Sequence, residues 1–360
     1  MLFDLQNSRE LSWPIIGHER AVDMLRASIR GGRIAHAYLF TGMEGSGKHT
    51  LALAFAMAVN CQADAPGGQQ WPDVPCGICA SCVRFGRGSH PDLIEVNLET
   101  QAASMGEVGG KSKSGPAKEL RIDAIREMQA NVGLSPHSAR WKVYIVGDAD
   151  KMNDEASNAL LKTLEEPPAH TIIILLAPDD TSVLPTIASR CFLVPLRSMS
   201  RETISRALVR KWGAESEQAD LLAALSGGRL GHAVRLMEDH ESLERRRSGL
   251  QELSVLSGAH VNDRVNMAGR YAKMFTETRP ALYEMLQDWE GWWRDVIAVR
   301  ASAPELVANI DQMPALQSAA RKHTAKSALS AIQLIQDARQ QLLENVNPRV
   351  ALEALALGME

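Results

Sequence analysis

Residues 37–59 set the first limit on what this chain can fold into. The apolar run Ala37-Tyr38-Leu39-Phe40 passes through a glycine-rich turn into the helical stretch Leu51 to Val59. The turn, Gly42-Met43-Glu44-Gly45-Ser46-Gly47-Lys48, has the spacing of a phosphate-binding loop up to its lysine, in the strand-to-helix setting such a loop requires. Gly42, Gly45 and Gly47 let the backbone wrap phosphate oxygens with N–H groups; the helix start adds its positive end, and Lys48 adds a point charge. Val143-Tyr144-Ile145-Val146 and Thr171 to Ala177 are continuous apolar runs, as expected of strands buried on both faces. With helical patterns between them, they predict an α/β domain with a parallel sheet.

The positions that would turn a phosphate-binding loop into a hydrolytic site are altered. A magnesium-ligating Ser or Thr belongs directly after the lysine, and His49 stands there. Thr50 comes one residue late, turned about 100° around the helix from its neighbour. Asp148 ends an apolar strand in the manner of a magnesium-holding Walker B aspartate, but Ala149 follows where a water-polarising glutamate is needed. Pro178, after the next strand, replaces a polar residue that would sense the γ-phosphate. Gly42, Gly45, Gly47, Lys48, Thr50 and Asp148 thus outline a degenerate ATP or ADP site, and two readings stay open: nucleotide binding, or a loop kept only as structure. Little ATPase activity of the chain's own is expected.

Five cysteines are an odd number, and three crowd into Cys76-x-x-Cys79-x-x-Cys82. In a reducing compartment this points to a metal rather than to disulfides. Cys61, across a spacer of fourteen residues, supplies a fourth thiolate for one tetrahedral structural Zn2+. Cys191 lies far from the cluster and reads as a packing residue.

At 360 residues the chain exceeds one average domain. Lys and Arg number 39 against 43 Asp and Glu, a formal net charge of -4, which excludes the global basic footprint of a stand-alone nucleic-acid binder. The start, Met1-Leu2-Phe3-Asp4, has no secretory pattern, and no apolar stretch approaches membrane-spanning length, so a cytoplasmic protein with no membrane partner is expected. Residues 99–118, rich in Gly, Ser and Lys, read as a loosely ordered insertion. Beyond Pro195 the pattern is helical, broken at Ser226-Gly227-Gly228. Trp289, Trp292, Trp293 and Val296 recur at helical spacing as a buried face, and Asn345-Val346-Asn347-Pro348 starts a last helix with Val350, Ala354 and Leu357 on one side.

Several stretches together resemble the bacterial clamp-loader AAA+ family. They are Ile16-Gly17-His18-Glu19, Asn158-Ala159-Leu160-Leu161-Lys162-Thr163-Leu164-Glu165-Glu166-Pro167-Pro168, Ser189-Arg190-Cys191, the cysteine cluster and Asn345-Val346-Asn347-Pro348-Arg349. The resemblance spans nearly the whole chain. It implies an α/β AAA+ P-loop domain over 1–196 carrying a four-cysteine zinc module (61–82), a helical lid over 197–240 and an all-α collar over 241–360 that closes a five-subunit assembly. Gly147-Asp148-Ala149-Asp150 is more similar to the branch that organises the ring than to the ATP-hydrolysing gamma/tau branch, which is the alternative. Gly231 stands where motor subunits place a nucleotide-sensing arginine, with Arg229 two positions earlier as the other candidate. The resemblance further implies that Arg190 acts in trans on a neighbouring subunit's ATP. The implied partners are the gamma/tau and delta subunits, with the sliding clamp and primer-template DNA engaged through the assembled complex.

Overall fold

A computed structural model describes residues 13–64, 71–104 and 119–359. It divides into two compact units, Met1–Met199 and Ser200–Glu360. In the first unit, α1 (Glu19–Arg30), β1 (Ala37–Thr41) and α2 (Lys48–Val59) are followed by α3 (Ala80–Gly86), β2 (Leu93–Val96), α4 (Leu98–Ser104) and α5 (Ile122–Val132). Next come β3 (Lys142–Val146), α6 (Asp154–Glu165), β4 (Thr171–Ala177), α7 (Pro185–Ala188) and β5 (Phe192–Pro195). The first residues of the expected insertion, 99–104, are helical and belong to α4. The rest of it, 105–118, lies outside the described residues.

The five strands form one sheet in the order β2-β3-β4-β1-β5, and every neighbouring pair is parallel. Alternate strand residues face opposite sides and build a core on each. Tyr38, Phe40, Ile145, Ile172 and Ile174 pack on the side of α1 and α2. Leu39, Tyr144, Val146, Ile173 and Leu175 pack with Ile125 and Met128 of α5 and Leu160 and Leu164 of α6. The resulting parallel α/β fold is the class read from the sequence. β1 sits between β4 and β5, so the loop that follows it leaves the carboxyl edge of the sheet's interior, where open α/β sheets hold their ligands.

Helix α2 determines what must surround it. Every residue from Leu51 to Val59 is buried. A helix apolar on all sides needs cover on all sides. The sheet covers one face, Leu25 and Ile29 of α1 another, and Cys82 and Phe85 of α3 a third.

The second unit is helical: α8 (Arg201–Trp212), α9 (Ser216–Leu225), α10 (Leu230–Glu238), α11 (His240–Gly258), α12 (Val261–Glu277), α13 (Arg279–Arg300), α14 (Met313–Lys322), α15 (Ala325–Leu343) and α16 (Pro348–Gly358). Gly227 and Gly228 take left-handed φ values of 60° and 82° in the turn between α9 and α10, a conformation that glycine adopts without steric penalty. Trp289, Trp292, Trp293 and Val296 are buried on α13, and the Trp289 indole N–H donates to the Gly249 carbonyl oxygen at 2.8 Å. The face expected on α16 is corrected. Val350, Ala354 and Leu357 are exposed, while Ala351, Leu352, Leu355 and Ala356 are buried. This helix is apolar around most of its circumference, so two stripes satisfy helical spacing and packing against α12 and α15 selects between them. Among the described residues no helix is long and apolar enough to cross a membrane.

One buried carboxylate fixes the approach to β3. Asp92, fully buried, accepts hydrogen bonds from the backbone N–H groups of His137 (2.6 Å), Ser138 (2.8 Å) and Ala139 (2.8 Å). Burial alone would raise its pKa; the three donors outweigh it and hold the carboxyl below the ordinary range. Asp92→Ala should therefore cost about 3 kcal/mol in urea denaturation. Because the folded pKa is the lower one, the carboxylate's contribution is complete above the unfolded value of about 3.9 and disappears as pH falls through the folded value. The difference between wild type and variant should accordingly stay constant from neutral pH down to about pH 5 and shrink only below about pH 4.

Candidate functional site

The glycine-rich loop after β1 is held by backbone bonds to its neighbours. Gly42 N–H donates to the carbonyl oxygens of Ala177 (3.2 Å) and Pro178 (2.9 Å) at the end of β4, and Leu196 N–H donates to Thr41 O at 2.7 Å. Gly42 has φ 153°, and a Cβ there would lie 2.8 Å from the Leu196 carbonyl oxygen, so only glycine fits this close approach. Pro178 contributes its carbonyl to the loop. His18 enters from the start of α1: its Nε2 lies 2.8 Å from Ser46 O, so Nε2 carries the proton that is donated. Burial lowers the His18 pKa, with Ser46 and Glu19 offsetting part of the shift, which favours this neutral donor form.

Lys48 begins α2 and turns back onto its own loop, donating to Gly42 O and, at 3.2 Å, to Met43 O. Burial pushes its pKa down, against the pull of Asp150, Glu44 and Asp148. His49, which follows Lys48, is paired with β2: its Nε2 lies 2.9 Å from Glu95 Oε2. Thr50 lies half-buried in the first turn of α2. Asp148 takes a left-handed φ of 52°, and its Oδ1 accepts from Lys151 Nζ at 2.7 Å. Ala149 is buried and begins a short 3-10 turn. Gly42, Gly45, Gly47, Lys48 and Asp148 thus gather around the carboxyl edge of the sheet, with His49 bonded to Glu95 and Asp148 to Lys151.

At the other end of α2 the structure brings Cys61, Cys76, Cys79 and Cys82 together, with all four Sγ atoms within 4.8 Å of one another. Cys76 Sγ is 3.9 Å from Cys82 Sγ, against about 3.8 Å between sulfurs of a tetrahedral thiolate site with metal–sulfur bonds near 2.3 Å. Main-chain N–H groups aim at the sulfurs: Cys76 N to Cys61 Sγ (3.4 Å), Cys79 N to Cys76 Sγ (3.3 Å) and Cys82 N to Cys79 Sγ (3.4 Å). Gly77, at φ 71°, makes the turn between the second and third thiols. A hydrogen bond from Cys82 holds Cys61 down at about 5, while that same bond and burial push Cys82 up. Four thiolates this close together repel one another unless a cation lies among them. The donor set fits a metal ion with a closed coordination sphere.

Cys191 is partly buried against the α5–α6 side of the sheet, and burial pushes its thiol up to about 12, in keeping with a packing residue. Arg190, just past α7, donates through Nη1 to Thr186 O (2.9 Å) and through Nη2 to Glu165 Oε1 (2.8 Å). It is exposed and lies on a different element from the loop and from the cysteines. Arg229 Nε donates to Ser226 O at 2.9 Å at the start of α10, and Gly231 follows within that helix. Sequence reasoning missed His18 as the partner of Ser46, Glu95 as the partner of His49 and Lys151 as the partner of Asp148. Of these only Lys151 carried a local signal, its spacing of three residues from Asp148.

The family described as DNA polymerase III, delta subunit, matches residues 17–200, and DNA polymerase III, delta subunit, C terminal, matches residues 241–360. DNA polymerase III subunit delta' of Bacillus subtilis is 28% identical over 342 residues, 95% of each chain. Subunit tau of the same organism is 26% identical over 94% of this chain, which spans 59% of tau's length. Subunit gamma/tau of Mycobacterium tuberculosis is 36% identical over 54% of this chain and 30% of its own. Among solved structures, a gamma-subunit-related protein of Thermotoga maritima is similar at TM-score 0.42 and 16% identity, covering 95% of this chain and 98% of that one.

The cysteine geometry yields a direct expectation. Cobalt(II) added to metal-free protein should give the intense thiolate charge-transfer absorption of a tetrahedral sulfur site at one equivalent. Cys61→Ser should weaken metal binding by at least about tenfold and change that spectrum. A variant with unchanged affinity and spectrum would remove Cys61 from the ligand set.

Proposed function

The chain belongs to the DNA polymerase III delta-subunit family, and from that premise we propose that it serves as the delta-prime subunit of a bacterial clamp loader. In this role it organises a ring and supplies a catalytic group to a neighbour without being a motor itself. The observation that carries the reading is the pairing of both magnesium positions with internal partners, His49 with Glu95 and Asp148 with Lys151. The match to subunit delta' over 95% of both chains supports the same branch. On this reading the gamma/tau and delta subunits are the direct partners, and the sliding clamp and primer-template DNA are reached through the complex. Helices α8 to α10 act as the lid, and residues 241–360 act as the collar.

The chemistry follows from which groups are present. A motor subunit needs a carboxylate to orient the attacking water and a hydroxyl on magnesium; Ala149 has no acidic group, and His49 replaces the hydroxyl. Lys48 and the glycines remain able to hold phosphate oxygens, so ATP or ADP binding without turnover is part of the proposal. The cysteine cluster holds a structural Zn2+: four sulfur ligands leave no open position for substrate, and the ion contributes to folding. Arg190 is the group offered in trans. A guanidinium presents a planar fork to γ-phosphate oxygens and stabilises the charge that spreads over them as the bond breaks, which a lysine ammonium does poorly.

A second reading, an ATP-hydrolysing gamma/tau-type motor, draws support from the glycine spacing and Lys48. ATP turnover by the pure chain that disappears in Lys48→Ala would establish it.

For the leading reading, the isolated protein should hydrolyse ATP no faster than buffer. Ala149→Glu alone should not restore turnover, because His49 still occupies the magnesium-ligand position. In a reconstituted complex, Arg190→Ala should assemble normally and slow hydrolysis at one site by about 10³-fold, with clamp loading impaired. Arg190→Lys should be nearly as defective. Unchanged DNA-stimulated hydrolysis and loading with Arg190→Ala would return Arg190 to the role of an ordinary surface residue.

A further inference from the structure

Arg140 lies on the segment that leads into β3, 79 residues from Cys61 in sequence, yet its Nη2 donates to the Cys61 carbonyl oxygen at 2.5 Å. Its guanidinium carbon sits 4.1 Å from the centre of the Trp71 ring, on the segment that leads to Cys76. The backbone beneath it is anchored too. Asn60, the residue before Cys61, accepts from Arg140 N–H at 3.1 Å and from Trp141 N–H at 2.9 Å, and its own amide donates to Trp141 O at 3.1 Å. Among the described residues Arg140 Nη1 is buried without a hydrogen-bond partner. Burial disfavours the charged guanidinium, and the two groups that favour it are Cys61 and Cys79.

A half-buried arginine joined to this cluster answers an electrostatic need. Four thiolates around a divalent ion leave a net charge of about −2. Uncompensated charge away from water is costly, and outer groups that offset it are part of what sets metal affinity. Arginine suits the position because it stays protonated under burial and lies flat on an indole ring. We propose that Arg140 is the outer-sphere cation of the cysteine metal centre, held over Trp71 and against Cys61 so that its charge lowers the cost of assembling four thiolates. This rests on the Zn2+ reading of the cluster.

The test compares zinc affinity, by competition with a chromogenic chelator at neutral pH, for wild type, Arg140→Gln and Arg140→Lys. Cobalt(II) spectra of all three are recorded alongside. Glutamine removes the charge and ends two bonds short of the position of Nη2; lysine keeps the charge and loses the planar fork. Arg140→Gln should bind zinc about 10- to 100-fold more weakly, Arg140→Lys should retain most of the affinity, and the thiolate charge-transfer band should stay at full intensity in both. Equal zinc affinity in wild type and Arg140→Gln would overturn the proposal, as would equal losses in both variants or a diminished cobalt band, each of which assigns Arg140 a packing role. If Arg140→Gln does not fold, Arg140→Lys decides alone: near-wild-type zinc affinity supports the charge role and a loss of tenfold or more overturns it. Wild-type protein that binds no zinc would overturn the metal centre itself, an outcome distinct from failure of Arg140's part.

Discussion

The burial of helix α2 on every side is the constraint on which the first unit depends. Nine consecutive residues, Leu51 to Val59, are withdrawn from water, and no single sheet face can cover them all. The third side falls to the segment that includes α3, which is short and dominated by loops, glycines and small residues. A segment of that kind buries little apolar surface of its own, and on the proposed reading a metal held by the four cysteines would add to its order. The phosphate-binding loop and the cysteine cluster are therefore two ends of one element. Lys48 opens α2, and Cys61 lies two residues beyond Val59. Loss of order at the cysteines would uncover the helix that carries the loop.

The charges around the loop tell a consistent story of replacement. In a hydrolytic site a divalent cation bridges the hydroxyl after the lysine, the Walker B carboxylate and the phosphates. Here Lys151 supplies a positive charge to Asp148, and His49 is hydrogen-bonded to Glu95. Three further details fit the same picture: Lys48 donates to its own loop, Glu44 and Asp150 lie close enough to influence its ionisation, and the sensing position offers only a proline carbonyl. Lys48 and Gly42 thus find partners within the loop and at the end of β4, while among the described residues Ser46 Oγ is buried without a hydrogen-bond partner.

What could be read in the sequence, and what could not, divides along the physics of range. Strands β1, β3 and β4 are interior, buried on both faces, and stand out as unbroken apolar runs. Strands β2 and β5 are edges: one is interrupted by Glu95 and the other exposes Phe192 and Leu193, so neither has a periodic signature. The thiols of the cysteine module were legible as a spacing, and the long gap to Cys61 could be bridged on residue type alone. The partners that tune both sites were not legible. His18 reaches Ser46 across 28 residues, His49 reaches Glu95 across 46, and Arg140 reaches Cys61 across 79. Such contacts follow from sheet order and loop packing, and no local pattern announces them. The α16 face was misread for a different reason: an almost wholly apolar helix carries two stripes, and only its neighbours choose one.

On the proposed reading, the setting of Arg190 bears on how an arginine offered in trans can be both ordered and available. Its Nη1 is bonded to Thr186 O on α7 and its Nη2 to Glu165 at the end of α6. Both members of the ion pair are well exposed, at 37% and 52% of their side-chain surface. Exposed pairs of this kind contribute at most about 1 kcal/mol, so they narrow the rotamers of a long side chain without trapping it. A γ-phosphate carries more charge than a carboxylate and accepts a bidentate fork, so exchanging Glu165 for phosphate favours the latter once a neighbour presents it. An arginine held by a weak, solvent-exposed partner is preorganised for a stronger one, and Glu165 would thereby take part in the same step as Arg190.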